Sequence, residues 1–381
     1  MKIVSILLSG LMGLAAAGAL QAQEAWLLVS RTGHYELARA ADGKLEDVLN
    51  VGSLAAYGES AQALAFIHYD PATRAYQLDV LDKASRRVLV THPLEIRLQA
   101  HPAGIVEDLV VSSRYVYFVA IRINSARQVA LNNLGGRLDL NQINLADGSV
   151  RTFPLPPACH TARLVNYDGV PLVYAWNGYE VLKLDEDRMS LVALLQERDV
   201  QDIVESERGG CACKRTPGPG PFADDVAIPG AGVFRLSRMG KLQKVLDARL
   251  APVPLPRPSV DLRLDLGRDG QFATLSRGML AGRSTIGLLG VSSGETIFEY
   301  RDASSLAPVW QVRLPPSAAP LGVGNLAAVP DGILFVDRST GTLDRAAPNG
   351  LQALWDLRQL DPTADAASTR VILVHQAPAG S

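Results

Sequence analysis

The segment FEYRDASSLAPVWQVRL, residues 298–314, contains the pattern that decides the fold. Two runs of alternating polar and apolar residues flank a short polar turn, and such alternation is typical of two β-strands joined in a hairpin. The same arrangement of strand, short turn and strand occurs in seven copies along the chain. The other six copies occupy residues 35–50, 76–91, 138–155, 179–194, 233–246 and 342–357.

The spacing of these hairpins indicates a repeat architecture. The distance between successive starts is 41 residues from 35 to 76, 41 from 138 to 179, and 44 from 298 to 342. A period of about 40–45 residues is typical of the four-stranded blades of a β-propeller. Further strand-like runs precede several hairpins, as a four-stranded blade requires: 63–69, 115–121, 170–176 and 332–337.

Three longer spacings predict insertions between the repeats. We place them in the polar stretch 124–136, in the Gly- and Pro-rich stretch 208–222, and in the Gly-punctuated region 277–294. Loops on a rigid scaffold often carry function. The face that bears these three segments is therefore the predicted docking face for a partner.

The two ends of the chain predict how the ring closes. Only AWLLVS (25–30) precedes the first hairpin, whereas TRVILVH (369–375) is a strand with no hairpin of its own. Because a ring of blades must cover its own strand edges, 369–375 is expected to supply the innermost strand of the first blade. The sequence thus predicts an all-β, seven-bladed β-propeller closed by its C-terminal strand, with a two-domain β-sandwich as the alternative.

The first residues have the features of an export signal. A positive start at Lys2 is followed by an apolar run over 3–20, and Ala-Leu-Gln-Ala (19–22) supplies small residues for cleavage. The alternative is a retained membrane anchor. We expect residues 1–22 to be a cleaved signal peptide and residues 23–381 to form the propeller domain, without a membrane span, in the bacterial periplasm or secreted.

Composition narrows the class of protein further. Apolar residues make up 48% of the 381 residues and charged residues 20%, which is typical of a packed globular chain rather than a disordered one. Lys and Arg total 37 against 39 Asp and Glu, so the balance does not indicate a nucleic-acid partner. Three cysteines are too few for a disulfide-stapled scaffold.

Two hairpins, DASSLAPVWQV (302–312) and VDRSTGTLDRA (336–346), carry a family resemblance. Each has an Asp followed by a Ser- or Thr-containing turn between two strands, and in this they resemble the repeats of the YVTN and quinoprotein-like propeller superfamily. The chain is also similar in length, export and blade number to the heavy chains of amine dehydrogenases. That resemblance implies a scaffold for a small cofactor-bearing subunit, with no quinone in the chain itself, and it assigns no functional residue.

Cys159 and His160 follow the Pro-rich run 154–157, and Cys211 and Cys213 lie in RGGCACKRTPGPGPF (208–222). These two positions belong to adjacent predicted blades and could meet near one mouth of the central channel. A disulfide between Cys159 and either Cys211 or Cys213 would suit an oxidising compartment. The alternative is a tetrahedral Cys3His site for Zn2+ or Cu(I), formed by all four residues.

Lys214 and Arg215 follow Cys213 directly and are the predicted partner-binding residues. The acidic turn Asp185-Glu186-Asp187 is interpreted as a solvated turn, because a calcium loop would need more oxygen ligands. No catalytic constellation and no cofactor motif is identified. The leading hypothesis is a non-catalytic scaffold or binding subunit for another periplasmic protein. The alternative is a propeller enzyme or metal-binding protein with its site at the channel mouth.

Overall fold

A computed structural model describes most of the predicted propeller. It contains 27 β-strands and one short 3-10 helix, Leu357–Gln359, within the described residues. Those residues are 25–31, 34–41, 44–60, 62–94, 109–122, 137–155, 162–175, 180–186, 188–195, 222–237, 240–254, 258–262, 271–280, 283–292, 295–315, 326–329, 332–359 and 365–372.

The first two blades share one long strand, whose two parts belong to different blades. From the centre outward, blade 1 contains β27 (Asp365–Ile372), β1 (Ala25–Arg31), β2 (His34–Ala41) and the first part of β3 (Lys44–Glu59). Blade 2 contains the second part of β3, then β4 (Ala63–Asp70), β5 (Ala75–Asp82) and β6 (Arg87–Leu94).

Each of the other five blades is a separate antiparallel sheet of four strands. Blade 3 contains β7 (Val110–Val111), β8 (Tyr115–Arg122), β9 (Arg137–Asn144) and β10 (Val150–Pro154). Blade 4 contains β11 (Ala162–Tyr167), β12 (Val170–Ala175), β13 (Glu180–Asp185) and β14 (Ser190–Leu195). Blade 5 contains β15 (Phe222–Ile228), β16 (Gly232–Ser237), β17 (Lys241–Leu246) and β18 (Ser259–Asp261).

The last two sheets complete the ring. Blade 6 contains β19 (Gln271–Leu280), β20 (Arg283–Ser292), β21 (Glu295–Asp302) and β22 (Pro308–Leu314). Blade 7 contains β23 (Leu326–Val329), β24 (Gly332–Asp337), β25 (Thr342–Ala347) and β26 (Gly350–Asp356). The innermost strands β11, β15, β19, β23 and β27 contact one another in that order around the centre.

The hydrophobic core lies between the blades rather than within any one of them. Seven clusters of buried apolar side chains each join two neighbouring blades. One of them packs Leu27 and Val29 of blade 1 against Leu334 and Trp355 of blade 7. Because burial of apolar surface is the main stabilising contribution in folding, we expect each blade to be stabilised by both of its neighbours.

The predicted ring closure is confirmed. β27 pairs antiparallel with β1, with Leu27 opposite Val371 and Leu28 opposite Arg370. The closing strand runs from Asp365 to Ile372, a few residues earlier than the sequence predicted. The seven-bladed, all-β architecture is therefore as predicted, and the β-sandwich alternative is wrong.

Two details of the prediction are wrong. The region 277–294 is not an insertion, because β19 and β20 pair there as the two inner strands of blade 6. The hairpin at 233–246 is formed by the second and third strands of blade 5, whereas the other six copies supply the third and fourth strands. Its fourth strand, β18, has only three residues and no long alternating run to reveal it.

A recurrent turn explains the Asp signature of the repeats. At six described turns an Asp or Asn side chain accepts the backbone N–H two or three residues later, and the residue four positions later has a positive φ. This is an Asx-type turn followed by a left-handed residue, a geometry that suits tight hairpins. The six pairs are Asp70/Arg74, Asp82/Arg86, Asn144/Gly148, Asp185/Met189, Asp302/Leu306 and Asp337/Gly341.

The strand order defines two faces of the ring. The turns between first and second strands, and between third and fourth strands, lie at one face, which we call the lower face; the remaining connections lie at the upper face. Among the described residues, no helix has the length and apolar character needed to cross a membrane. The segment 1–22 lies outside the described residues, so its function as a signal peptide stays a prediction.

Candidate functional site

A cleft of about 940 Å³ opens at the lower face, across blades 2, 3 and 4. Its walls come from the turns that join the first and second strands of these three blades, and from the turn between β13 and β14. Most of the polar side chains in it belong to short turns between antiparallel strands. The cleft is called the lower-face cleft below.

Blade 2 contributes Glu59, Ser60 and Gln62 to the cleft. The Ser60 hydroxyl accepts the backbone N–H of Ala63 at 3.0 Å, which fixes the turn. The Lys83 ammonium donates to Glu59 Oε2 at 2.9 Å and to the Ser60 carbonyl at 2.7 Å, and both side chains of this ion pair are largely buried. The charge of Glu59 is thus compensated within the blade.

Blade 3 contributes a turn that Ser112 holds in place. The Ser112 hydroxyl accepts the backbone N–H of Tyr115 at 2.9 Å and lies 3.0 Å from the Tyr115 carbonyl, to which it donates. This local bonding leaves the exposed side chains of Ser113 and Arg114 at the tip of the turn, on the border of the cleft. The turn therefore presents a cation on a fixed backbone.

Blade 4 contributes the two-residue turn Asp168-Gly169 between β11 and β12. Both residues have positive φ, 51° and 81°, as a type I′ hairpin turn requires. The side-chain Oδ1 of Asn166 accepts the Gly169 N–H at 2.8 Å, and its side-chain Nδ2 donates to the backbone carbonyl of Glu59 in blade 2 at 3.4 Å. A Cβ at Gly169 would lie 3.1 Å from the Ser112 Cβ, so this turn is packed directly against the turn of blade 3.

A buried tyrosine links blades 3 and 4 beneath the cleft. The Tyr117 hydroxyl donates to Glu186 Oε1 at 3.3 Å and accepts from the Gln142 amide at 3.2 Å. Tyr117 and Gln142 are 2% and 3% exposed. Burial is the largest of the effects that raise the pKa of Tyr117 to about 12, so the phenol stays protonated and remains a donor at neutral pH.

The acidic turn interpreted as solvated is part of this cleft. Asp185 Oδ1 accepts the backbone N–H of Arg188 at 3.1 Å, and the two side chains form an ion pair at 3.5 Å. Glu186 is exposed but accepts the Tyr117 hydroxyl. The interpretation was therefore incomplete, because the turn joins two blades and lines a cavity; Asp187 lies outside the described residues.

A separate polar group lies on blade 2. His68 Nε2 is 2.9 Å from Asp79 Oδ2, and the Thr91 hydroxyl donates to Asp79 Oδ1 at 2.8 Å. Burial raises the pKa of Asp79, but the hydrogen bonds from His68 and Thr91 together lower it further, and the net pKa is below its usual value. This group is a satisfied structural network, and it is remote from the lower-face cleft.

None of the residues predicted as sites falls within the described part of the chain. Cys159, His160, Cys211, Cys213, Lys214 and Arg215 all lie outside it, so the disulfide, the Cys3His site and the partner-binding residues stay predictions. Among the described residues, no three His, Cys, Asp or Glu side chains are grouped so that they could hold a metal ion.

Sequence reasoning missed the lower-face cleft. Its residues come from three blades, and no motif marks residues such as Tyr117, Asn166 and Lys183. One signal was available, because Asp168-Gly169 between two strand-like runs is a strong hairpin-turn sequence. That signal locates the turn but does not reveal which neighbouring turn it meets.

Comparison with known proteins supports the fold alone. No protein-family profile matches the chain, and no curated protein matches it. Among solved structures, a prolyl endopeptidase aligns over 93% of this chain and 51% of its own, with 14% identity and a TM-score of 0.52. The chain thus spans about half the length of that endopeptidase.

Two other structures match over their full length. A protein of unknown function from Desulfotomaculum acetoxidans covers 93% of this chain and 100% of its own, with 10% identity and a TM-score of 0.52. The periplasmic gluconolactonase of Pseudomonas aeruginosa gives the same coverages, with 13% identity and a TM-score of 0.49. At such identities the two matches with a TM-score of 0.52 support the fold alone. The strand order of this chain defines the class of protein, a seven-bladed β-propeller, and propellers host many unrelated functions.

Proposed function

We propose that this chain is an exported, non-catalytic β-propeller that serves as a scaffold or binding subunit for another protein of the bacterial periplasm. The observation that carries the proposal is the lower-face cleft, which turns from three packed blades build together. Binding groups on short turns of a rigid scaffold are held in fixed positions before a partner arrives, which lowers the entropy cost of binding.

The chemistry of the cleft supports a binding function. Tyr115 and Arg114 line it, and these are the residue types that protein interfaces favour. The Asn166 side-chain amide donates to the Glu59 carbonyl at 3.4 Å and so connects blade 4 to blade 2. The cleft therefore depends on the assembled ring rather than on one blade. A partner seated there would contact several blades at once.

Affinity capture tests this proposal. The mature protein, tagged and expressed in its native host, is crosslinked in the periplasm, purified and analysed by mass spectrometry, with an unrelated exported propeller carrying the same tag as control. We expect one exported protein to be captured in stoichiometric amount by this chain alone. Purification only as a free monomer would contradict the proposal.

The same sample tests the export prediction and the alternative function. N-terminal sequencing should find Gln23 as the first residue if residues 1–22 are removed as a signal peptide. A lone protein with one equivalent of zinc or copper would instead favour a metal-binding or enzymatic site at Cys159, His160, Cys211 and Cys213.

A further inference from the structure

We infer that the lower-face cleft binds an extended polypeptide segment of the partner, one that carries both acidic and basic side chains. This inference rests on the proposed function, because it names the part of the partner that the propeller would hold. It follows from which charged groups of the cleft are already paired and which are not.

Two of the carboxylates that line the cleft have cationic neighbours of their own. Glu59 is paired with Lys83 at 2.9 Å, and Asp185 with Arg188 at 3.5 Å. A third carboxylate, Glu186, accepts one hydrogen bond from Tyr117 and keeps its formal charge. The acidic excess among the lining residues is thus partly compensated from within the protein.

Three other charged side chains face the cleft without such a neighbour. Arg114 and Asp168 are exposed at the tips of two adjacent turns, and Lys183 is half-buried on β13. Within the described part of the chain, none of the three side chains forms a hydrogen bond or an ion pair. The cleft therefore offers two cations and one anion, with Glu186 as a second anion that has spare acceptor capacity.

This lining selects among classes of ligand. Pockets for small organic ligands span about 300–1,000 Å³ and are mostly apolar, with few polar groups. The lower-face cleft, at about 940 Å³, has the size but not that character, since turns with charges of both signs form its border. A neutral oligosaccharide would neutralise none of these charges, and an acidic one would neutralise Arg114 and Lys183 but not Asp168. A peptide with Asp or Glu beside Lys or Arg would neutralise both signs.

The arrangement also favours an extended ligand over a single amino acid. Arg114 lies on the turn between β7 and β8 of blade 3, Asp168 on the turn between β11 and β12 of blade 4, and Lys183 on β13 near the turn between β13 and β14. The charges thus follow the lower face from one blade to the next. A segment of several residues could reach all of them, with the apolar side chains of Val170 and Leu194 beneath it.

Peptide selection on the purified mature protein tests the inference. A phage-displayed library of random dodecapeptides is panned against the wild type, and enriched peptides are remeasured by isothermal titration. We expect enriched sequences to combine acidic and basic residues. Their Kd should rise with salt, because exposed charge pairs are screened.

Three variants remove the free charges with little risk to the fold. Asp168→Asn keeps a residue type that tolerates positive φ, Arg114→Gln lies on an exposed turn, and Lys183→Met keeps the apolar stem. Each should weaken the selected peptides about two- to fivefold, and the triple variant more than tenfold. Asp147→Asn and Arg74→Gln, on turns outside the cleft, are matched controls that should leave the Kd unchanged.

A double-mutant cycle separates direct contact from distortion. When the basic residue of the peptide that meets Asp168 is changed to Gln, that change and Asp168→Asn should not be additive. Additive effects at every peptide position, enrichment of no charged peptide, or binding to a glycan array in place of peptides would each overturn the inference.

Partner capture keeps this inference distinct from the proposed function. If the triple variant captures the same protein as the wild type in equal amount, the partner docks elsewhere and only the cleft inference fails. If the wild type captures nothing, the scaffold function fails, while the peptide selection still reports on the cleft itself.

Discussion

Trp26 lies directly opposite Ile372 in the sheet of blade 1, although the two residues belong to the first and the last described strands. The Trp26 side chain is fully buried, in the cluster that joins blade 1 to blade 2. Closure of the ring thus depends on backbone pairing between the two ends of the domain. On the opposite face of this sheet, the cluster of Leu27, Leu334 and Trp355 packs blade 1 against blade 7.

Loss of the closing strand should open the ring. Truncation after residue 364 removes β27 and exposes the inner edge of β1, an unprotected row of backbone donors and acceptors. We expect the urea midpoint to fall sharply, together with aggregation, and truncation after residue 372 serves as the control that keeps β27. Equal midpoints for the two truncated chains would show that the closure contributes nothing to stability.

The fold could be predicted from the sequence because each repeat contains a local pattern that predicts its own hairpin. Alternating strands and Asx-type turns, as at Asp302 and Asp337, are properties of a few consecutive residues. The errors occurred where that signal weakens. In blade 5 the fourth strand has three residues, and in blade 6 the glycines of 277–294 fall within and between long paired strands.

The left-handed residues of the turns provide a stability prediction. Arg74 has φ of 55°, which costs an L-residue about 1 kcal/mol relative to glycine, and its side chain is exposed. Arg74→Gly should therefore raise the free energy of unfolding by about 0.5 kcal/mol in urea titration. Ala72→Gly, in the same turn but not at positive φ, should lower it by about 0.5–1 kcal/mol. The prediction is wrong if both substitutions destabilise the protein equally.

The Asx turn of blade 6 should make stability depend on pH. Hydrogen bonds from Ser304 and Ser305 lower the pKa of Asp302 from 3.8 to about 2. Because the folded-state pKa is the lower one, the contribution is complete above pH 4 and is lost as the pH falls through 2. Asp302→Asn keeps an acceptor oxygen, as Asn144 does in blade 3, but cannot titrate.

The measurement for Asp302 is the free energy of unfolding of wild type and variant between pH 5 and pH 2. The stability of the wild type relative to Asp302→Asn should be constant above pH 4 and should fall below it, because only the wild type loses the stabilisation that the ionised carboxylate provides. Asp302→Ala, which removes the acceptor, should be destabilised by about 1 kcal/mol at neutral pH. A difference that does not change between pH 5 and pH 2 would contradict the lowered pKa of Asp302 in the folded protein.

The lower-face cleft could not be predicted in the same way as the fold. Its groups meet only because consecutive blades place their first turns side by side, so that Asn166 of blade 4 reaches the carbonyl of Glu59 in blade 2. Sequence separation carries no information about such contacts in a ring of degenerate repeats. The cysteine motif could be noticed because cysteines are rare in this chain. Arg114 and Lys183 are common residue types, and only the fold shows that they line the same cleft.

The hydroxyl of Tyr117 should stabilise the junction beneath the cleft. Tyr117→Phe removes the hydrogen bond to Glu186 and leaves the buried Gln142 amide without this acceptor, at a cost of about 1–2 kcal/mol. Tyr115→Phe is the matched control, because the Tyr115 hydroxyl has no hydrogen bond to the described residues and lies at the half-exposed cleft wall. Chemical denaturation of both variants measures their loss of unfolding free energy. Equal losses for Tyr117→Phe and Tyr115→Phe would refute the stabilising effect of the Tyr117 hydroxyl.

Gly169 should be the most sensitive residue of the cleft. Gly169→Ala adds a Cβ at φ of 81°, and that Cβ would lie 3.1 Å from the Ser112 Cβ. Positive φ alone costs about 1 kcal/mol, and the contact should add about 1–2 kcal/mol unless the two turns separate.

Gly230, in the corresponding turn of blade 5, isolates these two costs. Its φ is 75°, but a Cβ there would meet nothing within 4 Å, so Gly230→Ala should lose only the backbone contribution. The excess loss in Gly169→Ala, measured as the difference in free energy of unfolding, reports how tightly the turns of blades 3 and 4 are packed. If the two alanine variants unfold alike, the turns separate freely. The spacing of Arg114 and Asp168 is then not fixed before a partner binds.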